Sequence, residues 1–287
     1  MNKIQTKRPY ILCVFVFLLC SIARFIEYYL IRTDETVIAE NVFHKLFGIF
    51  VLLIALRMTN LSLSDIGFKT DRFQHIVKGL LLGLICFALS YSLEMGILFL
   101  QGKHSTLDFY ASGFSLQGDV IQQRTIRAVL LCLVFNVVNV VMEEGIFRGF
   151  NLRVTEGVSS FAKANLFTAF LFGIWHWVMP LRSFTDGESS LTNLLIMGIG
   201  YVILAGIMSI KWGLLYKMSG CLWIGLGDHL FNNVIATNLV HVVTENEADS
   251  MQIVRIMVAQ LLSFLVVLGV YRIRRKEKIV IEGGHIC

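Results

Sequence analysis

Residues 140–150 read VVMEEGIFRGF. Two adjacent carboxylates, Glu143 and Glu144, and one guanidinium, Arg148, stand inside an apolar run that begins near residue 126. A charge at the depth of hydrocarbon costs about 2.5 kcal/mol or more unless it is paired or hydrated. What these three groups face decides the fold.

Composition makes the surroundings hydrocarbon. The chain has 287 residues, of which 56% are hydrophobic and 16% charged, with a mean hydropathy of +0.70. A soluble domain is nearer about 45–50% apolar and 25% charged. A membrane helix needs about 20 apolar residues. Eight stretches qualify, at about 9–31, 43–58, 74–100, 126–150, 161–181, 191–210, 220–240 and 251–271, the second being the shortest. The reading is an all-α polytopic membrane helix bundle of about eight transmembrane helices enclosing a polar catalytic cavity. It takes residues 1–287 as a single integral-membrane domain. The opening NKIQTKRP has the charge of a signal-peptide leader, but no small-residue cleavage site follows, so the first span is expected to be retained.

Lysine and arginine placement sets the orientation. With eight spans and a cytoplasmic N-terminus, seventeen of the 25 Lys and Arg fall on the inner side and seven on the outer, with Arg24 inside the first span. Both termini are then cytoplasmic and the protein integral to the membrane, the plasma membrane in a bacterium. The net charge of +5 is spread out, without a basic aromatic patch, and argues against nucleic acid as a partner. Six cysteines show no metal-type spacing, and five lie in apolar runs where they read as small buried hydrophobes. GLLLG at 79–83 has the small-residue spacing that lets helices approach closely, although a chance match reads equally well.

Polar residues inside the spans fall on stripes. Asn136, Asn139 and Glu143 share a face of the fourth span; Glu144 and Arg148 are four residues apart, the spacing of an intrahelical ion pair. Asn165, Thr168, Phe172 and His176 share a stripe of the fifth. His229, Asn232 and Asn233 share a face of the seventh, with Asp228 adjacent. In lipid, such groups face the bundle interior or a water-filled cavity. The economical arrangement turns the three stripes toward one another. Asp228 could orient His229 or play a generic polar part, and Trp175 and Trp177 read as packing or cavity wall.

These residues resemble the CPBP family, the CAAX-protease and bacteriocin-processing intramembrane endopeptidases also called Abi proteins. Its three ordered motifs are Glu-Glu-x-x-x-Arg, Phe-x-x-x-His and His-x-x-x-Asn or Asp. Here they are EEGIFR (Glu143, Glu144, Arg148), FGIWH (Phe172, His176) and HLFNN (His229, Asn233). The resemblance covers about residues 120–240. It implies an endopeptidase that cleaves a membrane-associated peptide or protein in the lipid bilayer: a CAAX-type tail, or a bacteriocin or signalling-peptide precursor. It also implies roles. Glu143 and His176 hold and deprotonate a water, His229 and Asn233 stabilise the oxyanion, Glu144 belongs to the catalytic set, and Arg148 and Phe172 support it. No cofactor is expected. Zinc remains an alternative, because one Glu and two His are zinc ligands, although the soluble zincin pattern is absent. A non-catalytic membrane immunity or scaffold protein is the other alternative.

Overall fold

Apolar runs bounded by residues that can cap a helix end build the bundle. Pro9 opens helix α1 (Pro9–Ile26), where its missing N–H costs nothing. Thr125, Ser160 and Ser190 accept the first-turn N–H groups of α4 (Ile126–Glu143), α6 (Phe161–Trp175) and α8 (Leu191–Ser219). Each such cap is worth about 1 kcal/mol. The remaining helices are α2 (Phe43–Thr59), α3 (Ile76–Leu100), α5 (Leu152–Glu156), α7 (Val178–Thr185), α9 (Trp223–Phe231) and α10 (Gln252–Gly283). The computed structural model describes residues 8–36, 40–112, 122–245 and 247–283, with side chains to residue 277. Cys287 lies outside them.

Six helical segments are long and apolar enough to cross a membrane: Pro9–Glu35, Thr70–Leu100, Ile126–Glu156, Phe161–Thr185, Leu191–Ser219 and Gln252–Glu277. The other two expected spans are α2, with 17 residues, and α9 with its extension to Leu239. Both are short, yet both run from one face of the bundle to the other. At one face Arg32 pairs with Asp186 at 2.5 Å and Arg182 with Asp34 at 2.6 Å. At the opposite face the Leu222 N–H bonds Gly67 O at 3.0 Å, and the Trp223 indole bonds Lys69 O at 2.6 Å. Loops that an eight-crossing alternation assigns to one side thus pair with loops of that same side.

Glu27 ties α1 to α2. Its carboxylate accepts the N–H groups of Val42, Phe43 and His44 at 2.6–2.8 Å and the His44 ring at 2.6 Å. A buried anion is favoured there because a helix N-terminus presents unpaired donors.

One face of the bundle departs from the all-helical expectation. Strand β1 (Ser105–Phe109) pairs antiparallel with β2 (Val240–Thr244), with Leu107 opposite Val242. The long polar connection after α3 contributes β1, in which Thr106, Leu107 and Phe109 are exposed. Beside β2, burial would push the Asp249 carboxyl up, but the His241 ring at 2.5 Å and Arg255 hold it below the usual range.

Four of the cations used to set the orientation are not in loops. Lys45, Arg148, Lys211 and Arg255 are buried in helices and paired with carboxylates, that of Lys45 being the partly exposed Glu40. Removing them takes two from each side of the count and leaves its bias intact.

The GLLLG stretch fixes where α9 sits. A Cβ at Gly79 would lie 2.0 Å from Ile224 O, and one at Gly83 would lie 2.8 Å from Phe231 Cβ. On the facing helix, a Cβ at Gly227 would lie 2.3 Å from Ile76 O. The close-approach reading of this motif holds, because backbone meets backbone there. Gly79→Ala must push α9 outward, since a carbonyl cannot rotate away. Overpacking of this kind costs about 1–3 kcal/mol. The variant is expected to melt at a lower temperature in detergent than the parent; an unchanged melting temperature would place α9 farther from α3.

Candidate active site

Glu143 is the last residue of α4, and Glu144 opens a wide π-helical stretch, Glu144–Asn151, all eight residues of which are buried. Single wide turns of this kind recur where side chains must be re-aimed at functional sites. Here they send two neighbouring carboxylates to one imidazole. His229 Nδ1 lies 2.8 Å from Glu144 Oε1, and His229 Nε2 lies 3.5 Å from Glu143 Oε2. The first distance is a hydrogen bond. The second is too long for one.

Each carboxylate has a further partner. Glu144 accepts both Nε, at 2.8 Å, and Nη2 of Arg148, a bidentate pair with neither side chain exposed. Glu143 accepts the Trp175 indole N–H at 2.8 Å. Trp175 is itself held: Arg24 donates to its carbonyl at 2.9 Å and lies 4.4 Å above its ring. Sequence reading left Arg24 unassigned in the first span and took Trp175 for packing or cavity wall. The tryptophan is a direct partner of Glu143.

Phe172 is the platform on which these groups meet. The Arg148 guanidinium sits 4.2 Å over its ring, and the His176 and His229 rings approach it edge-on at 4.6 and 6.2 Å. His229 is gripped from the other side by Trp212, stacked at 4.1 Å and 15°. The Trp212 indole donates to Asp228 at 2.7 Å, and Asp228 accepts Lys211 at 2.5 Å. Asp228 therefore acts on His229 through the Trp212 ring, while Glu144 is the group bonded to the His229 nitrogen. Trp212 and Lys211 were missed because the sixth span was ended at residue 210. The apolar run in fact continues past Lys211 through GlyLeuLeuTyr, which was the available signal.

His176 is not mid-helix. It caps the end of α6, and a turn at His176–Trp177 separates α6 from α7. Pro180 causes the break, because it lacks the N–H that would bond the carbonyl of residue 176 and its ring crowds that carbonyl. His176 Nδ1 lies 2.8 Å from Phe172 O. A carbonyl only accepts, so in the neutral ring Nδ1 carries the proton and Nε2 presents a lone pair. His176 is half-buried, stacks at 6.4 Å on Tyr201 and lies within electrostatic reach of Glu143 and His229.

Asn233 follows His229 by one turn, in the second wide π stretch, Asn232–Leu239. It is half-buried, and its Oδ1 accepts from Asn232 at 3.0 Å. The other striped residues lie elsewhere. Asn136 bonds Cys132 O at 2.9 Å and Asn238 at 3.4 Å. Asn165 bonds Ile210 O at 3.1 Å and clamps α6 to α8. The structure thus brings together Glu143, Glu144, Arg148, Phe172 and His229 directly, joins His176 through Phe172, and leaves Asn136 and Asn165 as interhelical ties.

Residues 125–235 match the family model described as Rce1-like, type II CAAX prenyl endopeptidase Rce1-like. Over these residues the chain is similar to the type II CAAX prenyl endopeptidases of that description. The matched stretch contains all seven residues of the three motifs, and the description is that of a peptide-bond hydrolase. No curated protein matches the chain. Among the described residues, no three His, Cys, Asp or Glu side chains are arranged to hold a metal ion. The engagement of His229 Nδ1 by Glu144 accounts for part of this, since that nitrogen has no lone pair to offer while it donates.

Proposed function

We propose that the chain hydrolyses a peptide bond in a membrane-associated peptide or protein by an activated water. A CAAX-type tail is the leading substrate class, because the matched family's description names that activity; peptide precursors share the same chemistry. The water is held between Glu143 and the Nε2 lone pair of His176. Glu143 takes its proton as the oxygen attacks the carbonyl carbon. Negative charge then grows on the carbonyl oxygen, facing His229 and Asn233. Collapse of that oxyanion breaks the C–N bond, and the proton held by Glu143 passes to the departing amine.

The observation that carries this reading is the pair of unlike glutamates on one imidazole. Glu144 is fully engaged by Arg148 and His229. Glu143 has one neutral hydrogen-bond donor and a second oxygen 3.5 Å from a ring nitrogen. Two adjacent carboxylates in environments this different support a division of labour between an orienting group and a base. His229 donates to Glu144 from Nδ1, so it can donate to the oxyanion from Nε2 only as an imidazolium. A non-catalytic scaffold gives no reason for the asymmetry. Both termini are assigned to the cytoplasmic side on the lysine and arginine bias.

No step requires a metal. Purified protein in detergent is expected to cleave a prenylated CAAX-type peptide after exhaustive chelation. Loss of cleavage on chelation, restored by zinc alone, would establish the zinc-dependent version in its place.

A further inference from the structure

Lys211 is fully buried in α8, and its ammonium has three N–H groups and no lone pair. All three are used: Asp228 Oδ2 at 2.5 Å, Gln260 Oε1 at 2.5 Å and Ser263 Oγ at 2.8 Å. A group that can only donate imposes a direction on its neighbour. Gln260 must turn its oxygen to Lys211, so its NH2 faces away, and it donates to Asn232 Oδ1 at 3.0 Å. Asn232 must then turn its NH2 onward, and it donates to Asn233 Oδ1 at 3.0 Å. Asn233 ends the series with its oxygen occupied. Its NH2 has no hydrogen-bond partner among the described residues.

We infer that Lys211, through Gln260 and Asn232, fixes the direction of the Asn233 amide so that its NH2, and not its oxygen, faces the reacting carbonyl. The inference rests on the proposed oxyanion role of Asn233 and deepens it. An amide has nearly the same shape in both orientations, so packing alone chooses weakly between them. The difference at the reaction centre is large, since the NH2 attracts developing negative charge and the oxygen repels it. Lys211, Gln260 and Asn232 are positioning residues. They lie on three helical segments, α8, α10 and the wide stretch after α9, and they are nearly unexposed. The series also accounts for a buried charge that the hydrolysis itself does not use.

The test reverses the series without changing its shape. In Gln260→Glu the new carboxylate keeps Lys211 as partner but only accepts. Asn232 must then turn its NH2 toward it and present its oxygen to Asn233, which flips. Asn232→Asp forces the same flip one step later. Gln260→Met removes the bond without imposing the opposite direction. Cleavage kinetics and thermal unfolding are measured for all three beside Asn233→Ala. Asn233→Ala is expected to lower kcat by about 10²–10³ with KM little changed. Gln260→Glu and Asn232→Asp are expected to approach that loss, also in kcat, while Gln260→Met loses much less. Folded Gln260→Glu and Asn232→Asp proteins with the parent kcat would overturn the inference. So would equal losses in Gln260→Glu and Gln260→Met, which would mark a packing role. An unchanged kcat in Asn233→Ala would remove the oxyanion role itself, and the inference with it. Should one of the two reversing variants fail to fold, the other decides.

Discussion

Glu143→Gln is expected to produce a folded protein that does not cleave its substrate. The side chains differ by one atom type and have nearly the same volume, so the wide turn after α4 has no reason to repack. The glutamine oxygen still accepts the Trp175 indole N–H, the bond that fixes this side chain at 2.8 Å. What disappears is the ability to take a proton from water. Positioned proton transfer typically contributes about 10²–10⁴-fold to a rate. Loss of the negative charge also weakens the contact between Glu143 and His229 Nε2 at 3.5 Å, so the upper part of that range is expected. The measurement is cleavage of a membrane-anchored peptide by the variant, beside its thermal unfolding in the same detergent. A melting temperature like the parent's with activity within about tenfold would take Glu143 out of the role of base. A variant that unfolds would instead give the Trp175 contact a structural importance greater than its geometry implies.

The residues assigned to the proposed chemistry were legible because lipid makes polar groups conspicuous. Glu143, Glu144, Arg148, His176, His229 and Asn233 stand out from apolar neighbours, and the ion pair four residues apart is present in the bundle as read. Less legible was how these groups are aimed. Regular helical spacing relates Asn136, Asn139 and Glu143, which all lie in α4, but the wide turn at Glu144–Asn151 changes the phase of everything after Glu143. Sequence periodicity assumes a constant 3.6 residues per turn, and the site sits where that assumption fails. Pro180 did announce the break at His176, four residues earlier, and was not used. Trp175 and Trp212 were hidden for a different reason. An indole reads as apolar in composition, while its single N–H does its work only once a carboxylate from another helix is known to face it. Lys211 and Arg255 were read as loop cations because charge ends an apolar run on paper; in the bundle a fully paired charge does not. The strands β1 and β2 are each five residues long and far apart in the chain, so neither has a partner visible to local reading.

Arg148→Ala is expected to act first on stability. The guanidinium donates two bonds to Glu144 and lies over the Phe172 and Trp212 rings at 4.2 and 4.8 Å, with no solvent exposure. Its removal leaves the Glu144 carboxylate buried with only the His229 ring to answer its charge. Breaking a buried pair by deleting one partner costs about 3–5 kcal/mol. Arg148→Lys should recover little of this, because an ammonium can neither grip both oxygens nor lie flat on two aromatic rings. A second variant separates charge from shape. In Glu144→Gln/Arg148→Met both charges are gone, the amide oxygen still accepts from His229 Nδ1, and the methionine fills the space between Phe172 and Trp212. Replacing a buried ion pair by neutral groups of similar volume is often close to neutral for stability, so the double variant should melt well above Arg148→Ala. Thermal unfolding of the three proteins in one detergent provides the comparison. A double variant no more stable than Arg148→Ala would mean that cavity and packing dominate. An Arg148→Ala protein with the parent's melting temperature and no cleavage would move the arginine from supporting Glu144 to acting on the substrate itself, and the engaged glutamate would then have to be reconsidered as the base.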